Sequence, residues 1–280
     1  MRRIIMETLL LYITDTLPMR ALMGLRFEGV RYAMGTLGVF FTIWVLLAPL
    51  LKNRRIRKPM PKKRLHGQIK MELFNSLRTI CVFIALDILV FDMAEVGVFK
   101  TYRDVADYGW LWFGLSIPLA IILHDAYFYW THRAMHHKKL YKLFHLTHHR
   151  SHNPTPFTAY SFAIGEAVVM YGFVPILMVS IPMHTGAMSI VLLAMIFKNA
   201  VGHCGYELFP KGTTKTPILR LNTTVTHHDM HHEKASGNYG FYFTYWDKWM
   251  GTEHANYEAR FEAVTEKSTA SKPARFGTTA

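Results

Sequence analysis

The chain has 280 residues, of which 51% are hydrophobic and 14% are aromatic, and its formal net charge is +13. Long uncharged apolar runs are not typical of soluble domains, so the composition indicates a membrane protein. Because the basic residues cluster beside apolar runs, the positive charge argues for the cytosolic leaflet and against nucleic acid. The two cysteines, Cys81 and Cys204, are far apart and give no support to a disulfide framework or a zinc–thiolate site.

The N-terminal residues 1–31 begin with positive charge and apolar residues, but Glu7 and Asp15 interrupt this run. We therefore expect an interfacial amphipathic helix rather than a signal peptide or a further span. Residues 32–51 contain no charge and, as a helix, match a hydrocarbon core of ~30 Å. The loop 52–64 follows with eight basic and no acidic residues. The positive-inside rule places this loop in the cytosol.

Four further apolar segments are predicted to span the membrane: 79–99, 108–123, 167–182 and 187–202. Asp87 weakens the first of them and is expected to make a helix-end or interhelical hydrogen bond, with a functional acid as the alternative. The second should continue as one long helix past His124, and the last two should form a hairpin. Because successive spans cross the membrane in alternating directions, these five spans leave residues 124–166 and 203–280 on the cytosolic side.

The predicted fold class is all-α: a multi-pass bundle of about four to five spans, with a cytosolic histidine-rich helical cap that holds a dimetal site. No internal repeat is visible, and the final residues are small and polar, as in a loose tail. The expected regions are an N-terminal interfacial segment 1–31, an N-terminal membrane region 32–107, a histidine-box domain 108–256 and a C-terminal tail 257–280.

Histidines are concentrated in "HRAMHHKKLYKLFHLTHH" at 132–149 and in "HHDMHH" at 227–232. Residues three or four apart share a helix face, so each cluster can direct two or three imidazoles at one place. One tetrahedral zinc needs only four ligands, so two ions are the economical interpretation. Imidazole suits zinc, copper, iron and nickel alike. The eight candidate ligands are His132, His136, His145, His148, His149, His228, His231 and His232.

Several neighbouring residues are candidates to complete or support this site. His203, where the hairpin returns, is either a ninth ligand or a hydrogen-bonding core histidine. His124 precedes His132 by ~12 Å of helical rise, which favours a supporting or substrate-channel role. Asp125 could accept a hydrogen bond from a ligand imidazole or could cap a helix. The remaining supporting candidates are His137, as a substitute for His136, and His152, His227 and Asn238.

The segments "HDAYFYWTHRAMHH", "HLTHHRSHNPTPFTAY" and "THHDMHHEKASGNYGFYFTYWDKWMGTEH" together closely resemble the fatty acid hydroxylase/sterol desaturase superfamily of membrane di-iron enzymes, over roughly residues 108–256. The resemblance implies two iron ions held by the eight histidines, with His203 at the extra-histidine position. It also implies O2-dependent hydroxylation or desaturation of a lipid such as a fatty acyl chain, a sphingolipid or a sterol. Electrons would come from a separate ferredoxin or cytochrome with its NAD(P)H reductase.

Inert C–H bonds offer no acidic proton or leaving group, so a redox metal with O2 fits this chemistry better than acid–base residues. A zinc-dependent membrane hydrolase is the first alternative, with Glu166 or Glu233 as its base, although neither lies in HExxH. A non-catalytic metal or heme protein is the second. Zinc can replace iron in purified protein because it binds histidine sites more strongly than Fe(II). The bacterial inner membrane and the endoplasmic reticulum are both compatible locations.

Overall fold

The computed structural model describes residues 2–266, and the last part of the predicted tail lies outside this range. Nearly all regular structure in it is helical, which confirms the predicted all-α class. After a long N-terminal helix, α1 (2–47), the helices are α2 (Lys62–Glu95), α3 (Gly109–Met135), α4 (Tyr141–Phe144), α5 (Leu146–His149), α6 (Ile164–Tyr171), α7 (Phe173–Ser180), α8 (Thr185–Gly202), α9 (Val225–Lys234), α10 (Tyr245–Trp249) and α11 (Tyr257–Glu266). Short 3₁₀ turns lie at Lys52–Arg54, Val105–Asp107, Pro156–Tyr160, Thr213–Lys215 and Leu219–Leu221.

Helix α1 is continuous across the boundary expected between an interfacial segment and a span. Its α-helical stretches, Arg2–Leu11 and Leu17–Tyr32, are joined and extended by wider π-helical turns at Tyr12–Thr16, Ala33–Leu37 and Phe40–Leu47. Pro18 lies at the start of the second stretch, where proline does not break a helix. The predicted division at residue 32 is therefore not a structural break.

The described residues contain three helices long and apolar enough to cross a membrane: Ile5–Leu47, Gly109–Met135 and Thr185–Gly202. These helices contain most of the predicted spans 32–51, 108–123 and 187–202. The segment 79–99 lies largely in α2, where Asp87, Asp92 and Glu95 reduce its apolar character. The segment 167–182 forms two short helices, α6 and α7, that meet at Gly172. That these two segments also cross the membrane stays a prediction.

Close helix packing builds the apolar core between α2, α6, α7 and α8. Phe83, Tyr171, Leu177 and Val191 are among its buried side chains. Helix α1 packs against this core through Gly35, where an added Cβ would lie 2.5 Å from Cγ1 of Ile196. Any larger residue at position 35 would therefore force α1 away from α8.

The two ends of α8 define two ends of the molecule, separated by ~27 Å of helical rise. Before α8, β2 (Met183–His184) pairs in parallel with β1 (Thr101–Tyr102). After α8 comes His203, and the basic loop 52–64 docks at this same end. Nε of Arg57 lies 2.7 Å from Oδ2 of Asp229, and the amide of Ile56 donates to the carbonyl of Gly205 at 3.1 Å. The basic loop and the histidines thus share one side.

The first part of the predicted C-terminal tail region, 257–280, is an ordered helix. In α11, Tyr257 and Phe261 are buried against Met230 of α9. The spacing of Tyr257, Phe261 and Val264 is an amphipathic helical pattern, which explains why the helix forms. The tail therefore cannot begin before residue 267.

Candidate metal centre

Nine imidazoles converge where α3, α5, α8 and α9 meet. The ligand atoms of each group lie within 4.8 Å of one another. The five-histidine group contains His132, His136, His145, His149 and His231, and the four-histidine group contains His148, His203, His228 and His232. All nine predicted ligand candidates are thus brought together, including His203.

The spacing HxxHH distributes each box between the two groups. In α9 the i, i+4 pair His228 and His232 belongs to the four-histidine group, whereas His231 belongs to the other. Around α5, His145 and His149 join the five-histidine group and His148 faces the opposite group. The spacing in each box predicts that its imidazoles can point at one place. The structure instead makes the second and third boxes bridge both groups, because the i+3 and i+4 residues are adjacent in sequence and point about 100° apart around the helix.

The Nε2 atoms of the five-histidine group point at one another. The Nε2–Nε2 distance is 2.9 Å between His132 and His145. Nε2 of His149 lies 3.2 Å from that of His136 and 3.0 Å from that of His231.

The four-histidine group repeats this geometry around His203. Its Nε2 lies 2.9 Å, 3.0 Å and 3.3 Å from those of His228, His232 and His148. Neutral imidazoles with the proton on Nδ1 carry a lone pair on Nε2, so a cation placed among such nitrogens would relieve their mutual repulsion. Two nitrogens bound at about 2.1 Å to one ion at a right angle lie about 3.0 Å apart. Both donor sets therefore fit a metal ion.

Nδ1 contacts orient most imidazoles of the five-histidine group. His145 Nδ1 lies 2.7 Å from Oε1 of the buried Glu166. Three other imidazoles donate to backbone carbonyls, which fixes Nδ1–H and leaves Nε2 free for a metal. These acceptors are Tyr239 for His132 (2.9 Å), Ala235 for His136 (3.0 Å) and Gly237 for His231 (2.8 Å). None of these supporting groups was among the predicted ones.

Burial keeps the imidazoles neutral, as metal binding requires. It lowers the pKa of His203 to about 4 and that of His136 to about 2. For the other imidazoles outside the membrane helices, burial is the main cause and repulsion between neighbouring imidazoles the second. This lowers the pKa well below 6.5 for His145, His148, His149, His228, His231 and His232.

Three of the predicted supporting residues do not contact the two groups. Asp125 Oδ1 accepts from the backbone amides of Tyr242 and Phe243, at 2.7 Å and 3.2 Å, so it anchors a loop rather than a ligand imidazole. His137 is exposed, so it is not a substitute for His136. His152 is also exposed, and its backbone carbonyl accepts a hydrogen bond from Arg57.

The other three lie closer to the site. His227 is buried, but its ring faces Tyr257 and both its nitrogens lack a hydrogen-bond partner among the described residues. Asn238, at φ 49°, donates to the carbonyl of His227 at 2.9 Å and accepts from the amide of His254 at 2.8 Å. It therefore holds the turn that supplies two of the anchoring carbonyls. His124 lines an apolar cavity.

That cavity, of about 60 Å³, adjoins the histidines on the membrane side. Phe128, Phe162, Met170 and Asn199 form part of its wall and also border the narrow space beside the imidazoles. Aromatic and aliphatic side chains dominate the wall, as in sites that receive the apolar part of a ligand.

Comparisons with known proteins agree with this site. The family model for fatty acid hydroxylases matches residues 117–252. A Delta(7)-sterol 5(6)-desaturase of Gibberella zeae is 30% identical over 192 residues, covering 68% of this chain and 58% of the relative. A methylsterol monooxygenase of Aspergillus fumigatus is 34% identical over 144 residues, covering 50% and 48%. A very-long-chain aldehyde decarbonylase of Oryza sativa is 30% identical over 166 residues, covering 55% and 26%. No solved structure matches significantly.

The fold and the site define a helical integral membrane protein with two convergent groups of histidines. With the matches above, the chain belongs to the fatty acid hydroxylase/sterol desaturase superfamily, which confirms the resemblance seen in the histidine boxes. The chain spans 58% and 64% of the length of two sterol desaturases that it matches. Its activity is therefore a matter for proposal.

Proposed function

We propose that this protein is a membrane-bound di-iron oxygenase that uses O2 and externally supplied electrons to hydroxylate or desaturate a lipid. The observation that carries this proposal is the convergence of nine imidazoles into groups of five and four. Such nitrogen-only sets suit iron among other transition metals, and membership of the superfamily favours iron. When bound, two iron ions with O2 would supply the oxidising power that an unactivated C–H bond requires.

The chain itself performs three tasks in this proposal. The carbonyls of Gly237 and Tyr239 and the carboxylate of Glu166 orient imidazoles so that Nε2 faces the metal positions. Burial keeps those imidazoles in their neutral, ligating form. The walls formed by Phe128 and Phe162 exclude water and accept an apolar chain beside the histidines.

The zinc-hydrolase alternative is less well supported because both carboxylates considered as its base are engaged elsewhere. Glu166 lies 2.7 Å from Nδ1 of His145, on the side of the ring away from the other imidazoles. Glu233 forms an ion pair with Arg260 at 2.7 Å. The apolar cavity likewise favours lipid chemistry over a solely structural or transport role for the metals.

The docked basic loop supports the sidedness that we propose for the site. Because the loop 52–64 contacts the histidine end through Arg57 and Asp229, the positive-inside rule supports a cytosolic metal centre. We propose that a separate ferredoxin or cytochrome, with an NAD(P)H reductase, delivers electrons there. The membrane would be a bacterial inner membrane or the endoplasmic reticulum.

The test is turnover by the full chain in lipid nanodiscs, loaded with Fe(II) or with Zn(II) and supplied with ferredoxin, its reductase and NADPH. Total membrane lipids serve as substrates, and mass spectrometry detects products. We expect iron-, O2- and reductant-dependent gain of one oxygen or loss of two hydrogens. Equal activity with zinc, or activity without O2, would contradict the proposal and favour the hydrolase.

A further inference from the structure

The cavity beside the histidines leads into the membrane half of the molecule. Its far wall contains Arg31, Tyr160 and Tyr171. A second cavity of about 300 Å³ shares Tyr171, Val174 and Leu192 with the first, and Asp87 is in its wall. The two cavities therefore adjoin at Tyr171, and polar residues between α1, α2 and α6 line both of them.

These polar residues form a buried cluster within a largely apolar region. Nη1 of Arg31 lies 2.6 Å from Oε1 of Glu28, and the hydroxyl of Tyr160 donates to Oε2 of Glu28 at 3.4 Å. The hydroxyl of Tyr171 donates to Oδ1 of Asp87 at 2.6 Å, the interhelical bond expected for this residue. Glu28 is 0% exposed and Asp87 5%. Charged groups inside a membrane are costly and usually serve a function.

Two atoms of this cluster have unused hydrogen-bonding capacity. Nε of Arg31 and Oδ2 of Asp87 are buried and have no hydrogen-bond partner within residues 2–266. The two side chains are close enough to interact electrostatically. Most buried polar atoms are paired, so an unused donor and an unused acceptor in one buried cluster indicate a ligand that hydrogen-bonds to them.

We propose that the cluster of Glu28, Arg31, Asp87, Tyr160 and Tyr171 binds the head group of the lipid substrate, and that this head group is a hydroxyl. A hydroxyl accepts from Nε of Arg31 and donates to Oδ2 of Asp87. A free carboxylate is disfavoured because Glu28 and Asp87 already offer two carboxylates to one guanidinium. The identification of this lipid as the substrate rests on the proposed function.

This binding mode fixes the orientation of the lipid. The hydroxyl lies at the polar cluster, while the apolar body extends through the cavity toward Phe128 and the imidazoles. Oxidation therefore takes place at a carbon remote from the hydroxyl. Both a sterol and a long-chain alcohol offer the required chemistry, so both belong in the test.

Binding of matched lipids to the full chain in nanodiscs tests this proposal without iron, O2 or electrons. Displacement of a fluorescent lipid measures the affinity for cholestanol, cholestan-3-one and cholestane, and for octadecan-1-ol, octadecan-2-one, octadecanoate and octadecane. We expect one of the two alcohols to bind about tenfold or more tightly than its ketone, because the ketone cannot donate to Asp87. The series that shows this preference identifies a sterol or a straight-chain lipid.

Variants of the cluster sharpen the test. Asp87→Asn keeps the bond from Tyr171 but turns the free acceptor into a donor, so it should abolish the preference for the alcohol over the ketone. The paired change Glu28→Gln with Arg31→Met leaves the net charge of the cluster unchanged and should remove the preference of the ketone over the alkane, because a ketone only accepts and its donor, Nε of Arg31, is gone. Arg26→Gln, exposed on the same helix, is the matched control and should bind like wild type.

Alcohol, ketone and alkane affinities within about threefold of one another in wild type would overturn the proposal. An unchanged preference for the alcohol in Asp87→Asn would overturn it as well. If the double variant does not fold, the near-isosteric Asp87→Asn decides alone. Selective binding without O2-dependent turnover would contradict the proposed function but not the hydroxyl site, whereas turnover without selective binding would do the reverse.

Discussion

The two histidine groups differ in how firmly the protein holds them. In the five-histidine group, Nδ1 of every imidazole except that of His149 has a protein partner. In the four-histidine group, within residues 2–266, the one Nδ1 hydrogen bond is that of His203 to the carbonyl of Asn199 at 2.7 Å. Nδ1 of His148 and of His232 has no partner among the described residues.

This contrast indicates two metal positions of unequal rigidity. Anchored imidazoles keep their orientation when the metal leaves, so the five-histidine group is preorganised for binding. The four-histidine group relies more on the metal itself to order its ligands. We therefore expect the four-histidine group to lose and exchange its ion first.

Because adjacent residues of α9 belong to different histidine groups, single substitutions there can remove a ligand from one group at a time. His231→Ala removes a ligand from the five-histidine group and His232→Ala removes one from the other. We expect both variants to lose oxidation below detection, since each metal position is required. Iron per chain, measured by elemental analysis, should fall further in His232→Ala because only three imidazoles remain there.

The exposed His137 supplies the control for this experiment. His137→Ala should keep wild-type iron content and activity. Full activity in either α9 variant would show that its group is not part of the reaction centre.

Glu166 is the carboxylate anchor of the firmer group. Glu166→Ala should lower activity or metal affinity by about 10–100-fold, because His145 loses the partner of its Nδ1. Glu166→Gln retains an acceptor oxygen and should recover much of that loss. Metal affinity and turnover are measured together for both variants. Complete inactivity of Glu166→Gln with normal metal content would instead indicate an acid–base role.

The sequence predicts the ligands better than it predicts their supports. Boxes with i, i+3 and i+4 spacing contain the ligand candidates because a short helix needs no other information to align them. The anchoring carbonyls of Ala235, Gly237 and Tyr239 come from main chain that every residue possesses, so no side-chain pattern marks them. A weak signal existed in "ASGNYG": Gly237 and Asn238 adopt positive φ, which glycine and asparagine favour.

The fold was predictable where hydropathy alone decides it. The long helix α3 and the return to His203 follow from apolar length. The continuity of α1 across residue 32 was not predicted, because Glu7 and Asp15 were read as the mark of a separate surface segment. Similarly, a polar composition concealed the helix Tyr257–Glu266, whose stability depends on burial of Phe261 against another element.

Chelation tests the difference in rigidity directly. A stepwise titration of iron-loaded protein with a chelator should release the metal in two phases, with affinities separated by about tenfold or more, since each additional hydrogen bond contributes about 0.5–1.5 kcal/mol. Iron release is followed by absorbance of the chelate. In His232→Ala the earlier phase should be missing. A single phase releasing both ions would mean that the bridging boxes couple the two groups into one unit.

Loss of the contact between the basic loop and α9 should have the smallest effect on the difference in rigidity between the two histidine groups, because α9 supplies ligands to both groups. Arg57→Ala removes the 2.7 Å contact with Asp229, whose carboxylate is 3% exposed, and should destabilise the protein by about 1.5–3 kcal/mol. Thermal unfolding in detergent measures this loss, with the exposed neighbour Lys58→Ala as control. Both phases of iron release should shift together. A shift in only one phase would show that the loop supports that group alone, and the difference in rigidity would then arise partly outside the histidine anchors.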